Sequence, residues 1–104
     1  MSNEKNGLDA ASALEGEPKK VMIVDDHPLV RDGIAALIRT SPGLRVSAEV
    51  GNAEEALVAV AAEVPDLVVL DLVLPGKDGI ELLKEIHAQY PKVRVLVLSM
   101  HEET

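Results

Sequence analysis

The stretch KKVMIVDDHP, residues 19–28, decides the fold. Residues 21–24 are apolar at every position, which is typical of a strand covered on both faces of a parallel sheet. Two carboxylates follow at once, and Pro28 suits the first position of a helix, where its missing N–H costs nothing. The stretch therefore predicts a buried strand that ends in acidic residues and leads directly into a helix.

The alternation of strand and helix recurs along residues 19–104 at intervals of about 22 to 27 residues, which suits successive βα units. Further strands are predicted at residues 44–50, 67–70 and 93–98. Helices are predicted after Pro28, Asn52 and Asp78, where Asn52 and Asp78 can act as caps. Because crossovers between strands of one sheet are right-handed, the order β-α-β-α-β-α-β predicts an α/β fold with a doubly wound parallel sheet.

Amphipathic patterns predict which side chains face inward. Residues 44–50 alternate apolar and polar side chains, so this strand is expected at a sheet edge with one face in water. The inner helix faces are predicted to carry Val30, Ile34, Leu37 and Ile38 in the first helix, Leu57, Val60, Ala61 and Val64 in the second, and Ile80, Leu83 and Ile86 in the third.

Three carboxylates mark the expected functional edge of the sheet. Asp25 and Asp26 end the first strand and Asp71 ends the third. In open parallel sheets ligands bind beyond the carboxyl ends of the strands, so adjacent first and third strands would bring the three together. Each pair at about 5 Å repels by about 3 kcal/mol at an effective dielectric constant near 20. The cluster therefore calls for a hard divalent cation, Mg²⁺ or Mn²⁺.

These residues carry a family resemblance. Asp25-Asp26-His27 after the first strand, Asp71 after the third, Pro75 and Gly79 beyond it, and Ser99 after the fourth resemble the receiver domain of bacterial response regulators. The motifs at residues 25–28 and 98–103 are most similar to the LuxR/NarL-type transcriptional regulators. The resemblance implies a CheY-like, flavodoxin-like fold over residues 19–104 with strand order 2-1-3-4.

The resemblance also implies a function. Asp71 would be the phosphoacceptor, taking a phosphoryl group from the phosphohistidine of a partner sensor histidine kinase. Asp26 and Asp71 would bind Mg²⁺ directly, Asp25 through water, and Val73 through its backbone carbonyl. Ser99 would contact a phosphoryl oxygen and act as the switch. The full-length protein would control transcription through a C-terminal helix-turn-helix domain that binds DNA.

Receiver domains have a fifth strand with a Lys at its end, and no Lys of residues 19–104 can be given that role; Lys77 lies in the loop after Asp71. We expect a fragment of a longer regulator, or cover for the edge formed by residues 93–98 from another subunit, by homodimerisation or domain swapping.

Composition excludes several classes of function. The chain has 104 residues, no cysteine and a formal net charge of −8, so thiol chemistry is absent and this segment is not expected to bind nucleic acid by itself. No apolar run approaches the ~20 residues of a membrane span. Residues 1–18 are expected to form a flexible tail, and the protein is expected in the cytoplasm. The three histidines are too dispersed to share a metal site, although His27 borders the acidic residues.

Two alternatives remain beside the signalling interpretation. One is an aspartate-nucleophile phosphatase, which resembles this arrangement but has a further acid two residues after the nucleophile, where this chain has Val73. The other is a receiver-like interaction domain that acts without phosphorylation. Dinucleotide or flavin binding is disfavoured, because Asp25-Asp26 puts negative charge where a phosphate needs backbone amides.

Overall fold

The computed structural model describes residues 17–74 and 78–98. Most of the predicted tail, Pro75, Lys77 and Ser99 lie outside the described residues. Within the described ranges, no helix has the length and apolar character that a bilayer crossing requires.

Within residues 17–74 and 78–98, four parallel strands and three helices alternate, which confirms the predicted fold class. The strands pair in the order β2-β1-β3-β4, as expected. The elements are β1 (Lys19–Val24), α1 (Pro28–Arg39), β2 (Leu44–Val50), α2 (Ala53–Ala62), β3 (Leu67–Asp71), α3 (Gly79–Gln89) and β4 (Arg94–Leu98).

Helices cover both faces of the sheet, so β1 and β3 are buried on both sides. One core lies between the sheet and α1, where Val21 and Ile23 meet Ala35 and Ile38. The larger core lies on the other face and combines side chains of the sheet with side chains of α2 and α3. Its buried members are Met22, Val24, Ala53, Ala56, Val60, Val68, Leu70, Leu82, Ile86 and Val93.

Strand β2 lies at the sheet edge, as predicted, but its apolar residues do not share one face. Val21 pairs with Val46, whereas Met22 pairs with Ala48, so Ser47 is an extra residue in the ladder. An inserted residue reverses the alternation of side chains beyond it. Consequently Val46 packs in the core under α1, whereas Ala48 packs in the core under α2.

The predicted helix faces were correct at the centre of each stripe and wrong at its margins. Leu37 is 70% exposed, because it lies about 100° around α1 from the buried Ile38. Ile80 is 45% exposed and Leu82 is buried in its place, since Ile80 lies in the first turn of α3. In α2, Ala61 faces solvent and the exposed Val64 lies beyond the end of the helix, so the buried residues of this helix are Ala53, Ala56 and Val60.

The helices begin where the sequence predicts. Pro28 is the first residue of α1. The side chain of Asn52 accepts a hydrogen bond from the backbone N–H of Glu55 at 2.8 Å, and that of Asp78 accepts one from Ile80 at 3.1 Å. Both caps satisfy donors that the first turn of a helix leaves unpaired.

Gly79 sets how closely α3 approaches the end of β3. A Cβ at this position would lie 2.4 Å from the carbonyl oxygen and 2.6 Å from the Cα of Leu72. The N–H of Gly79 also donates to that carbonyl oxygen at 3.2 Å. Only a residue without a side chain therefore lets α3 begin against the loop that follows Asp71.

We expect Gly79→Ala to lower the free energy of unfolding by about 2 kcal/mol, because overpacking against backbone atoms cannot relax cheaply. Gly33→Ala is the matched control, since a Cβ there meets nothing within 4 Å. That variant should gain about 1 kcal/mol, because alanine is the better helix former. Urea denaturation followed by circular dichroism measures both, and equal effects of the two substitutions would contradict this account of Gly79.

Candidate functional site

The carboxyl ends of β1 and β3 lie side by side. Val24 pairs with Leu70 in the parallel ladder, so Asp25 and Asp71 are the next residues on two adjacent strands. The N–H of Asp25 donates to the carbonyl oxygen of Val50 at 3.0 Å, which holds it in line with β2 as well. The central position of β1 thus fixes where the first carboxylate lies.

Asp25, Asp26, His27 and Asp71 form one cluster. Each offers a ligand atom, and these atoms all lie within 4.8 Å of one another. Asp25 and Asp71 are 1% and 3% exposed, whereas the side chain of Asp26 is 34% exposed. The cluster is therefore a pocket with two buried carboxylates at its base and one at its rim.

Backbone amides orient the two buried carboxylates. The Oδ1 of Asp25 accepts a hydrogen bond from the N–H of His27 at 2.8 Å. The Oδ1 of Asp71 accepts one from the N–H of Val73 at 3.0 Å. Each is a turn closed two residues after the aspartate, and each leaves the second oxygen of its carboxylate for other contacts.

Two oxygens of the cluster are buried without a hydrogen-bond partner, Oδ2 of Asp25 and Oδ1 of Asp26. A buried carboxylate oxygen without a donor is costly unless a cation or another counter-charge is near. Carboxylate oxygens are also the ligands that hard divalent cations prefer. The residues present therefore fit a divalent cation in this pocket.

The sequence analysis expected His27 to border the acidic residues, and the structure places its ring in direct contact with them. Its Nδ1 lies 2.9 Å from Oδ1 of Asp25, 3.1 Å from Oδ1 of Asp26 and 3.7 Å from Oδ2 of Asp71. The hydrogen bond to Asp25 raises the pKa of His27 above 6.5, and the nearby charges of Asp26, Asp25 and Asp71 raise it further. Desolvation opposes this shift. The sequence signal was only adjacency to Asp26.

Arg31 is a second residue that sequence reasoning missed. Its Nη1 donates to the backbone carbonyl oxygen of Asp25 at 2.7 Å. A Cβ on Gly51 would lie 3.2 Å from the same Nη1, so the absence of a side chain there leaves room for the guanidinium. Arg31 thereby connects α1 to the end of β1, beside the loop after β2. The only feature of the sequence that could have indicated this contact is the position of Arg31 one helical turn after His27.

The structure describes four of the five predicted site residues. Asp25, Asp26 and Asp71 lie together, and Val73 lies in the adjoining loop with its N–H on Asp71. The role of the Val73 carbonyl stays a prediction. Ser99 lies outside the described residues.

Comparison with known families bears on this arrangement. The model of the response regulator receiver domain matches residues 21–104. The chain belongs to the response regulator receiver domain family. The strand order described above is therefore that of a receiver domain.

Two curated relatives and one solved structure illustrate the similarity. The nitrate/nitrite response regulator NarL of Escherichia coli K12 is 36% identical over 84% of this chain and 41% of its own length. The DNA-binding transcriptional activator DevR/DosR of Mycobacterium tuberculosis is 42% identical over 79% of this chain and 38% of its own length. A LuxR-family response regulator from Aurantimonas sp. SI85-9A1 is 42% identical, with a TM-score of 0.76 over 83% of this chain and 61% of that chain. The receiver spans less than half of the two curated relatives.

We expect the His27 ring of the metal-free receiver to titrate above 6.5, and Asp25→Asn to lower that pKa. Because the folded pKa exceeds the unfolded one, ring protonation stabilises the fold below pH 6.5, and this contribution is lost as the pH rises through the folded pKa. NMR titration of the ring in the presence of a chelator measures the value. A ring pKa at or below 6.5, or one insensitive to Asp25→Asn, would contradict the assigned contacts.

Proposed function

We propose that this receiver accepts a phosphoryl group on Asp71 from a sensor histidine kinase, with Mg²⁺ or Mn²⁺ as cofactor. The observation that carries the proposal is the convergence of three carboxylates, two of them with buried oxygens that lack a partner. In this assignment Asp26 and Asp71 bind the cation directly, Asp25 acts through water, the Val73 carbonyl completes the protein ligands, and Ser99 contacts the phosphoryl group and reports its presence.

The transfer is a substitution at phosphorus. A carboxylate oxygen of Asp71 forms the new bond, and the bond from phosphorus to the kinase histidine breaks, with its electron pair returning to an imidazole that takes up a proton. The amide of Val73 holds the Asp71 carboxylate in one orientation. A divalent cation, when bound, would be held by Asp26 and Asp71 and would neutralise charge on the carboxylates and on the incoming phosphoryl oxygens.

A signalling role accords with the loop after Asp71 better than rapid enzymatic turnover does. The side chain two residues after Asp71 is Val73, which is exposed and carries no acid. A general acid or base is therefore absent from the place where an aspartate-nucleophile phosphatase has one. The acyl phosphate would persist long enough to change how partners bind.

The wider role follows from the relatives. We propose a cytoplasmic regulator, in which residues 1–18 are a tail and residues 19–104 are the receiver, and whose output is transcription through a helix-turn-helix domain elsewhere in the full protein. One relative is named as a DNA-binding transcriptional activator. The net charge of −8 argues that DNA contact lies outside this segment. Strand β4 ends the described sheet with Leu96 exposed, which supports an additional strand or a second copy at that edge.

Incubation with acetyl phosphate and Mg²⁺ should produce a base-labile phosphoryl adduct on the receiver, detected by intact-protein mass spectrometry. Asp71→Asn should abolish the adduct, because an amide is not a nucleophile for this transfer. Asp66→Asn is the matched control: Asp66 lies at the opposite end of β3, where its side chain accepts a hydrogen bond from Lys20. An adduct that persists in Asp71→Asn would show that the phosphoacceptor assignment is wrong.

Arg31→Gln should weaken Mg²⁺ binding by about tenfold, because loss of a group that holds a ligand residue typically costs 10–100-fold in metal affinity. Arg39→Gln removes a guanidinium from the same helix that pairs with Glu49, away from the cluster. Isothermal titration calorimetry compares the two variants. Equal Mg²⁺ affinities would show that the contact between Arg31 and Asp25 does not position the site.

A further inference from the structure

Nδ1 of His27 makes a hydrogen bond to Asp25 at the cluster, and the ligand set proposed above gives this nitrogen no part in binding the cation. We propose that Nδ1 of His27 is a ligand of the cation site, and that the site therefore takes transition-metal ions such as Ni²⁺, Co²⁺ and Zn²⁺ in addition to Mg²⁺. This inference rests on the cation site of the proposed function and extends its chemistry from all-oxygen to mixed nitrogen and oxygen ligands.

The distances around Nδ1 have the spacing of ligands on one ion. Two ligands of an octahedral ion, each about 2.1 Å from it, lie about 3 Å apart on adjacent corners. Nδ1 of His27 lies 2.9 Å from Oδ1 of Asp25 and 3.1 Å from Oδ1 of Asp26. An ion bound by Nδ1 of His27 and Oδ1 of Asp26, with Asp25 reached through water, would need little movement of these two side chains.

The backbone holds His27 in place on both sides. Its N–H donates to Oδ1 of Asp25 at 2.8 Å, and its carbonyl oxygen accepts from the N–H of Arg31 at 2.9 Å. His27 is the residue before α1 and its side chain makes no capping hydrogen bond, so its ring is not required for helix initiation. The side chain is 62% exposed, which leaves the ion a path from solvent.

The buried carboxylate of Asp25 provides independent support for a ligand. Asp25 is 1% exposed and its Oδ2 has no hydrogen-bond partner. A neutral imidazole can donate a hydrogen bond to this carboxylate but does not neutralise its charge, whereas a divalent cation in the pocket does. The unpartnered carboxylate oxygen therefore favours binding of a cation, and the imidazole nitrogen adds a ligand that transition-metal ions prefer.

Nitrogen donation changes which ions are favoured. Carboxylates and water suit Mg²⁺ and Mn²⁺, whereas imidazole suits Ni²⁺, Zn²⁺ and Cu²⁺. Affinity at a mixed nitrogen and oxygen site rises from Mn²⁺ through Co²⁺ to Ni²⁺. Loss of the imidazole should consequently weaken Ni²⁺ binding much more than Mg²⁺ binding.

The experiment compares Ni²⁺ and Mg²⁺ titrations, by calorimetry at pH 8, of the unaltered receiver, His27→Ala and His87→Ala, all without a histidine tag. His87 is an exposed residue of α3 and controls for adventitious binding to a surface imidazole. We expect His27→Ala to lose about tenfold or more in Ni²⁺ affinity, with a smaller loss for Mg²⁺, and His87→Ala to match the unaltered chain.

A spectroscopic measurement separates ligation from a structural effect. On Zn²⁺ addition the Nδ1 resonance of His27 should shift in nitrogen-detected NMR spectra of the unaltered receiver. An unshifted resonance, a loss in His27→Ala that is equal for Ni²⁺ and Mg²⁺, or the same loss in His87→Ala would each overturn the inference. If any of these contradicting results is found while the unaltered chain still binds Mg²⁺ and is phosphorylated on Asp71, the proposed function stands and only the ligation by His27 is wrong. If the unaltered chain binds no divalent ion, both the proposed function and the ligation by His27 are wrong.

Discussion

Repulsion among the carboxylates at the ends of β1 and β3 is the constraint around which the pocket is organised. Each pair of unit charges at about 5 Å costs about 3 kcal/mol at an effective dielectric constant near 20. A hydrogen bond to a charged group returns roughly 1.5–3 kcal/mol, so the amides of His27 and Val73 offset part of this cost. The remainder requires positive charge, which the His27 ring or a divalent cation can supply.

The rest of the fold holds these charges together against their repulsion. Pairing of β1 with both β2 and β3 fixes Asp25 and Asp71 at adjacent strand ends, and cores on both faces keep those strands from separating. Gly79 brings α3 against the loop after Asp71, and Arg31 ties α1 to the carbonyl of Asp25. The contacts that stabilise the sheet therefore also fix the positions of the carboxylates in the pocket.

The sequence predicted what depends on strong local patterns. Uninterrupted apolar runs identified β1 and β3, capping residues located the helix starts, and the strand-end position of Asp71 placed it beside Asp25. The sequence did not predict features that depend on how separate elements meet in the folded structure. The extra residue at Ser47 has no composition signal, because a bulge is a matter of register between two strands. Leu37 and Ile80 show that apolar residues at the margin of a helical stripe need not be buried. The contacts of His27 and Arg31 depend on side-chain directions that no spacing rule gives.

The two oxygens of Asp25 distinguish a functional carboxylate from one that merely forms a turn. Oδ1 does the work of a turn-forming aspartate by accepting from the N–H of His27. That role would be served equally well at the surface, where Oδ2 could be hydrated. Here the residue is buried and Oδ2 has no partner, an arrangement that costs several kcal/mol for an isolated ion. A turn does not require burial of this oxygen, whereas a cation site gains from a carboxylate oxygen that no donor of the described protein residues occupies.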